Sequence, residues 1–332
     1  MENKVDLSVI LPAYNVEKEI EDSINSILSQ SGILFEIIIV DDGSTDCTND
    51  IIKRLADNND IVHVYNQKNQ GSGIARNTGL KYARGKYILF MDPDDTIASK
   101  MFATLKADFN AFSQEYDVIL FSFNTVNGNK IIEKKHKLIK KNLRNHKEIM
   151  NNFEDLWNST NVFAPWTKII NKNFILNNNL EFTNQRTGQD ALFSLELFQK
   201  LQTMLWIPQN YYYYTKGRES SAQTKRRPEI VYDDLNILKK LKEFLENSQI
   251  SIYSQEMIFN SVLSEVTFKE LKHTVLPTDS YAEVKKTLED SIFSDWLTRA
   301  NTKRARLKNQ ALFLIRKNIF LAFLYIKIKN FK

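Results

Sequence analysis

The run Phe35–Val40, dominated by β-branched residues, constrains this chain more than any other segment. Such a run reads as a strand covered on both faces, which requires a parallel sheet with helices on either side. The neighbouring sequence supplies those partners. Leu7–Leu11 reads as a buried strand ending at Pro12, and Glu17–Ser29 as a helix with apolar residues at Ile20, Ile24, Ile27 and Leu28. Thr45–Leu55 reads as a second helix, with Ser44 or Thr45 at its N-cap. Ile61–Tyr65 is a third strand, Gly73–Ala83 a third helix and Tyr87–Met91 a fourth strand. Regular alternation predicts an α/β fold with a mostly parallel central sheet flanked by helices.

Beyond Asp95 the pattern loosens. Lys100–Gln114 reads as a helix, Val118–Phe123 as a strand and Gly128–Lys147 as a loop or hairpin. Asp190–Lys200 reads as a helix, and Met204–Ile207 and Tyr211–Tyr214 as two short strands. From Glu229 the chain reads as mostly helical. We therefore expect one domain over 1–225, with halves at about 5–102 and 103–225, and a helical region over 226–332. At 332 residues and 42% hydrophobic content the chain can bury a sizeable core.

Cysteine and charge narrow the setting. Cys47 is the only cysteine, so no disulfide can form within the chain, which suits a reducing, cytoplasmic compartment. Cys47 reads either as a nucleophile or as a small residue at a helix start, and the second is favoured. The four histidines are scattered without metal-ligand spacing. Met1–Asp6 is polar and the apolar run after it is too short for a signal peptide. No stretch has the length of a spanning helix. The net charge of +5 hides a division: residues 296–332 carry ten Lys/Arg and no acid, so the rest is mildly acidic. A basic, apolar tail suits a membrane surface better than nucleic acid. Peripheral contact through 303–332 at the inner membrane face is the expectation, with packing on the body or on a second subunit as the alternative.

In open α/β sheets ligands bind beyond the carboxyl ends of the strands. Polar clusters fall at those ends. Pro12-Ala13-Tyr14-Asn15 follows the first strand, where the Tyr14 ring can lie near a planar base. Asp41-Asp42-Gly43-Ser44-Thr45-Asp46 follows the second, and a carboxylate there can accept from a base N–H or from ribose hydroxyls. Gly43 permits a tight turn, and Asp46 reads as a capping residue. Asn69–Gly79 opens a helix on which Arg76 and Asn77 face the site, or on which Arg76 pairs with a core-edge carboxylate. Its Gly71 and Gly73 make only a weak dinucleotide fingerprint. Asp92-Pro93-Asp94-Asp95 follows the fourth strand. Three acids in four residues exceed what helix capping needs, and their oxygens suit Mg²⁺ or Mn²⁺ shared with a diphosphate.

Together these motifs resemble the signature series of family-2 glycosyltransferases of the GT-A fold, of the bacterial surface-glycan type. The resemblance is specific over about residues 5–102. It continues more weakly through Trp166-Thr167-Lys168, Gly188-Gln189-Asp190, Tyr211–Tyr214, Arg218 and Ser220. It implies an inverting, divalent-metal-dependent enzyme that moves a sugar from a nucleotide-diphosphate donor, a UDP-sugar, to a hydroxyl of a glycan, lipid-linked or protein-linked acceptor. Asp41 would contact the base, and Pro12, Tyr14 and Asp42 would line the nucleoside pocket. Arg76 would lie near the nucleotide, and Asp92 and Asp94 would bind the metal, Asp94 more directly. Asp190 would be the general base, with Glu181 the next candidate. Where the family carries Glu beside that Asp, this chain carries Gln189. Two other readings stay open: a sugar-1-phosphate nucleotidyltransferase, and a non-catalytic partner subunit that keeps the fold.

Overall fold

A computed structural model describes residues 5–111, 115–134, 139–216, 230–275, 281–282 and 285. The strands are β1 (Leu7–Ala13), β2 (Phe35–Asp41), β3 (Val62–Asn66), β4 (Tyr87–Phe90), β5 (Thr96–Ile97), β6 (Val118–Asn127), β7 (Lys130–Ile132), β8 (Lys141–Leu143), β9 (Lys168–Asn171) and β10 (Met204–Lys216). The helices are α1 (Ile20–Leu28), α2 (Thr48–Asp57), α3 (Ser72–Tyr82), α4 (Met101–Ala111), α5 (His146–Asn151), α6 (Phe153–Ser159), α7 (Lys172–Asn177), α8 (Gln189–Lys200), α9 (Ile230–Asn247) and α10 (Ile252–Val275). A 3-10 turn spans Pro165–Thr167.

The sheet order is β3-β2-β1-β4-β9-β6-β10-β5, with β7 on β6 and β8 on β10. Strands β1, β2, β3 and β4 are parallel, and so are β6 and β10. Strand β9 runs against both β4 and β6 and so joins the two parallel sets in one direction. The chain goes from β1 out to β2 and β3, then returns to the other side of β1 to lay down β4. That reversal opens a crevice at the carboxyl ends of β1, β2 and β4.

The alternation of side chains explains why β1 and β2 are apolar throughout. Val9, Leu11, Ile37 and Ile39 join Ile20, Ile24 and Ile27 of α1 and Ile52 and Leu55 of α2 in one core cluster. The alternate residues Ile10 and Val40 face α3, which approaches through Gly79. A Cβ at Gly79 would stand 2.4 Å from Ile10 Cγ2, so only glycine allows this helix to lie so close.

Two expectations need correction. The runs at Met204–Ile207 and Tyr211–Tyr214 are one strand, β10. Its pairing with β6 slips between Trp206 and Tyr212, and that irregularity accommodates Pro208, which has no N–H for the ladder. Helix α2 begins at Thr48, so neither Ser44 nor Thr45 caps it. The segment 128–147, read as a loop or hairpin, carries the turn and second strand of the β6–β7 hairpin and also β8. Between Phe163 and Phe182 lie β9 and α7, short elements whose four and six residues carry too little periodicity to read.

The chain divides into two compact units, 1–224 and 225–332. In the second, Ile237, Leu238, Leu241, Phe244 and Leu245 of α9 and Ile258, Val262 and Leu263 of α10 are buried, at the three- and four-residue spacing of paired amphipathic helices. Among the described residues no helix is long and apolar enough to cross a membrane. Residues 303–332, Arg218 and Ser220 lie outside the described residues.

Candidate functional site

Three polar clusters stand side by side because their strands are neighbours. Ala13 pairs with Asp41, and Ile10 with Phe90, so the residues after β1, β2 and β4 leave the sheet at one edge. Tyr14 is 45% exposed, whereas Pro12 is buried within β1.

The first two loops are laced together. The Asn15 N–H donates to Ser44 Oγ at 3.1 Å, and the Thr45 N–H donates to Asn15 Oδ1 at 2.8 Å. Asp46 accepts from the Thr48 N–H with one oxygen and the Glu17 N–H with the other, so it ties the start of α2 to the first loop. Gly43 adopts φ +76°, as the tight turn requires. Cys47 is exposed at the N-cap of α2, and Glu17 beside it pushes its thiol up from the usual value, which does not favour a nucleophile.

Asp41 and Asp42 differ in their duties. Asp41 Oδ1 accepts from the Ser44 N–H at 3.0 Å, and Oδ2 from Asn49 Nδ2 at 2.6 Å. Asp42 accepts three bonds, each 2.8 Å long: from Gln67 Nε2 and the Gln70 N–H at Oδ1, and from the Gly71 N–H at Oδ2. Asp42 therefore fixes the loop that leads into α3, a task not visible in the spacing of the motif.

Arg76 is the junction of the site. Its side chain is 3% exposed, and it donates from Nη2 to Asp92 Oδ1 at 2.6 Å and from Nη1 to Asp190 Oδ1 at 2.7 Å. Burial opposes its charge, but Asp190 and Asp92 outweigh that and hold the guanidinium charged. Both readings of Arg76 are thus realised in one residue: the carboxylates it pairs with are those of the site. Asn77, next to it, bonds both ways with the Phe182 backbone, at 2.8 and 2.9 Å. The Phe182 ring stacks on Phe193 of α8 with centroids 4.1 Å apart, and Phe90 meets both rings edge-on. This packing brings α8, with Asp190 in its first turn, to the end of β4.

Burial raises the Asp190 carboxyl above its ordinary value, and the charge of Asp92 adds to this; Arg76 and Lys168 oppose it. A raised carboxyl is better matched to accept a proton near neutral pH. Glu181 is exposed, and its neighbour Phe182 makes the inward contacts. Gln189 donates from Nε2 to Ser72 Oγ at 2.9 Å and so pins the start of α8 to the start of α3, while its Oε1 is buried without a hydrogen-bond partner.

Asp95, which the motif reading counted with Asp92 and Asp94 but gave no separate role, is the most buried of the three. It is 1% exposed, with Oδ1 accepting from the Thr215 N–H at 2.7 Å and the carboxyl facing the Tyr212 hydroxyl. Burial, then Asp92 and Asp94, push its carboxyl up to about 9. The Asp92 N–H donates to Tyr212 Oη at 3.0 Å, which joins this turn to β10. Among the described residues no group of three His, Cys, Asp or Glu could hold a metal ion by itself. The donor set at 92–95 still fits Mg²⁺ or Mn²⁺. Asp92 and Asp94 offer only carboxylate oxygens, and such ions take one or two carboxylates plus substrate phosphate.

Comparison with known proteins agrees with this geometry. Residues 8–172 match the model of glycosyl transferase family 2. The uncharacterized glycosyltransferase EpsJ of Bacillus subtilis is 28% identical over 67% of this chain and 64% of its own length. The minor teichoic acid biosynthesis protein GgaB of the same organism is 29% identical over 84% of this chain and 31% of its own. The poly(ribitol-phosphate) beta-N-acetylglucosaminyltransferase TarS of Staphylococcus aureus is 30% identical over 70% of this chain and 39% of its own. The chain thus spans from about a third to just under two thirds of these relatives. The structure of S. aureus TarS 1–349 in complex with UDP superposes with a TM-score of 0.68 at 21% identity, covering 98% of this chain and 91% of that one. A likeness of that extent shows the GT-A fold. With the matched segment running from β1 through β9, and the Asp41-Asp42, Arg76 and Asp92–Asp95 clusters gathered at one sheet edge, the chain belongs to glycosyl transferase family 2.

Proposed function

We propose that the protein is an inverting glycosyltransferase that moves a sugar from a UDP-sugar to a hydroxyl of a glycan, lipid-linked or protein-linked acceptor in bacterial surface-glycan synthesis. One observation carries the reading: Arg76 joins Asp92, at the acidic turn after β4, to Asp190, at the start of α8. A group that handles a diphosphate and a group that can take a proton are thereby held on either side of one cation. The donor reading is supported by the fold shared with TarS, which has been crystallised with UDP and with UDP-GlcNAc. The pathway reading is supported by the teichoic acid protein GgaB.

In this reading the exposed Tyr14 ring lies against the base. Asp41, whose two oxygens each keep a second lone pair, accepts from the base N–H. Asp42 acts through the 67–71 loop that it holds. Pro12, buried in β1, sets where the first loop leaves the sheet. Asp94 and Asp92 would hold Mn²⁺ or Mg²⁺, which supplies Lewis-acid stabilisation of the departing diphosphate. Asp190 accepts the proton of the acceptor hydroxyl as it attacks opposite the leaving group. A single base acting opposite the leaving group gives inversion.

The test is a panel of nucleotide sugars with Mn²⁺, read by nucleoside diphosphate release. Release from at least one UDP-sugar, with no consumption of UTP plus sugar 1-phosphate, is expected. Consumption of the latter pair would establish a nucleotidyltransferase instead. Absence of any release or binding across the panel would favour a non-catalytic subunit.

A further inference from the structure

Tyr212 of β10 carries a hydroxyl that none of these steps uses. The residue is buried and ranks among the largest fully buried side chains of the protein. Trp166 stacks on its ring, with centroids 4.5 Å apart and planes 11° apart. A phenylalanine would keep that stack without burying a hydroxyl, so packing alone does not account for a tyrosine here.

The hydroxyl ends at the acidic turn after β4. The Asp92 N–H donates to Tyr212 Oη at 3.0 Å, and the Asp95 carboxyl faces the same oxygen. One phenol thus stands between the first and last residues of Asp92-Pro93-Asp94-Asp95. Inside the turn, Pro93 has no N–H to contribute, and the bond from the Asp95 N–H to the Asp92 carbonyl is long, at 3.3 Å. The firmer supports come from β10. The Thr215 N–H donates to Asp95 Oδ1 at 2.7 Å, and Thr96 and Ile97 of β5 pair with Tyr213 and Tyr212. The Tyr212 hydroxyl extends that grip back to Asp92, whose side chain is held by Arg76. Asp92 is therefore fixed twice, by Arg76 through its carboxylate and by Tyr212 through its backbone.

We propose that Tyr212 is a positioning residue for the metal and diphosphate end of the site: its hydroxyl joins Asp92 to Asp95 and sets the shape of the turn, so that Asp92 and Asp94 are arranged for one divalent cation before it arrives. Holding ligands in place beforehand lowers the cost of ordering them on binding. The inference rests on the reading of Asp92 and Asp94 as metal ligands, so the test must separate the two.

The experiment measures UDP affinity for the full chain by calorimetry, with and without Mn²⁺. UDP alone reads the nucleoside pocket, and the tightening that Mn²⁺ brings reads the acidic turn. Mn²⁺ is expected to tighten UDP binding to the wild type, and this gain is expected to vanish in Asp94→Ala. Tyr212→Phe keeps the ring and its stack on Trp166 but removes the hydroxyl. It is expected to cut the Mn²⁺ gain by about tenfold, while the affinity for UDP alone stays within about twofold. Asp95→Leu removes the other end of the tie at similar volume and gives a second route should Tyr212→Phe fail to fold. It is expected to reproduce the loss, and the double variant to lose no more than the larger single loss, because both act through one turn. An undiminished Mn²⁺ gain in Tyr212→Phe and Asp95→Leu, with the gain lost in Asp94→Ala, would overturn this inference and leave the metal reading standing. Equal weakening of UDP with and without Mn²⁺ would make the hydroxyl merely structural. No Mn²⁺ gain in the wild type would overturn the metal reading, and this inference with it.

Discussion

Arg76 and Asp190, 114 residues apart in sequence, meet in a 2.7 Å hydrogen bond, and the same guanidinium reaches Asp92 at 2.6 Å. A planar fork can serve two carboxylates at once, which a single ammonium cannot do with the same geometry. Arg76→Lys is therefore expected to leave the protein folded but to lower kcat by on the order of 10², the scale of a small misplacement at a reacting centre. Steady-state kinetics beside a thermal unfolding curve checks this. Wild-type turnover in Arg76→Lys would show that the bridge is not needed for the reaction.

Asp42 supports a loop with three bonds, so its substitution should act on folding as well as on the donor. In Asp42→Asn one oxygen becomes an NH₂ group facing N–H donors. Unfolding free energy is expected to fall by about 1–3 kcal/mol, the cost of leaving buried donors unpaired. Urea unfolding measures this, and an unchanged midpoint would mean that the loop holds its shape without Asp42.

The acidic turn after β4 yields a third expectation. Asp94→Ala is expected to abolish transfer while leaving the unfolding curve unchanged, and excess EDTA is expected to stop the wild type until Mn²⁺ or Mg²⁺ is restored. Full turnover in EDTA would remove the metal from the account.

The basic, apolar segment 303–332, with Leu312–Ile315 and Ile319–Ile326 punctuated by Arg316, Lys317, Lys327 and Lys329, supplies a fourth. Each basic residue near an anionic surface contributes about 1 kcal/mol. Vesicles with anionic lipid are expected to float the full chain at low salt, but not a chain ending at Arg299. Equal flotation of both would place the contact elsewhere, and loss of a dimer on truncation would assign the tail to self-association.

The donor half was legible in the sequence because its signals are local. Parallel strands buried on both faces write themselves as apolar runs, and Tyr14, Asp41 and Asp92 follow those runs directly. What could not be read depends on contacts distant in sequence. Nothing around Pro208 announces that two short runs form the single strand β10, because the irregularity that permits it is set by pairing with β6. Asp95 looked like one more acid in a cluster; the Thr215 N–H and the wall of β10 make it a buried carboxyl. Lys168 carried only a weak resemblance, since its burial depends on α8, which arrives 21 residues later.

The central claim is that Asp190 takes the proton from the acceptor hydroxyl. Asp190→Asn keeps the shape of the side chain, and the amide oxygen can still accept from Arg76, but the group no longer serves as a base. With the UDP-sugar identified by the panel, donor affinity is measured by calorimetry and transfer by product formation on the same preparation. The account predicts that kcat falls by on the order of 10²–10⁴ while donor affinity stays within about twofold. Turnover at the wild-type rate with unchanged donor affinity would contradict it.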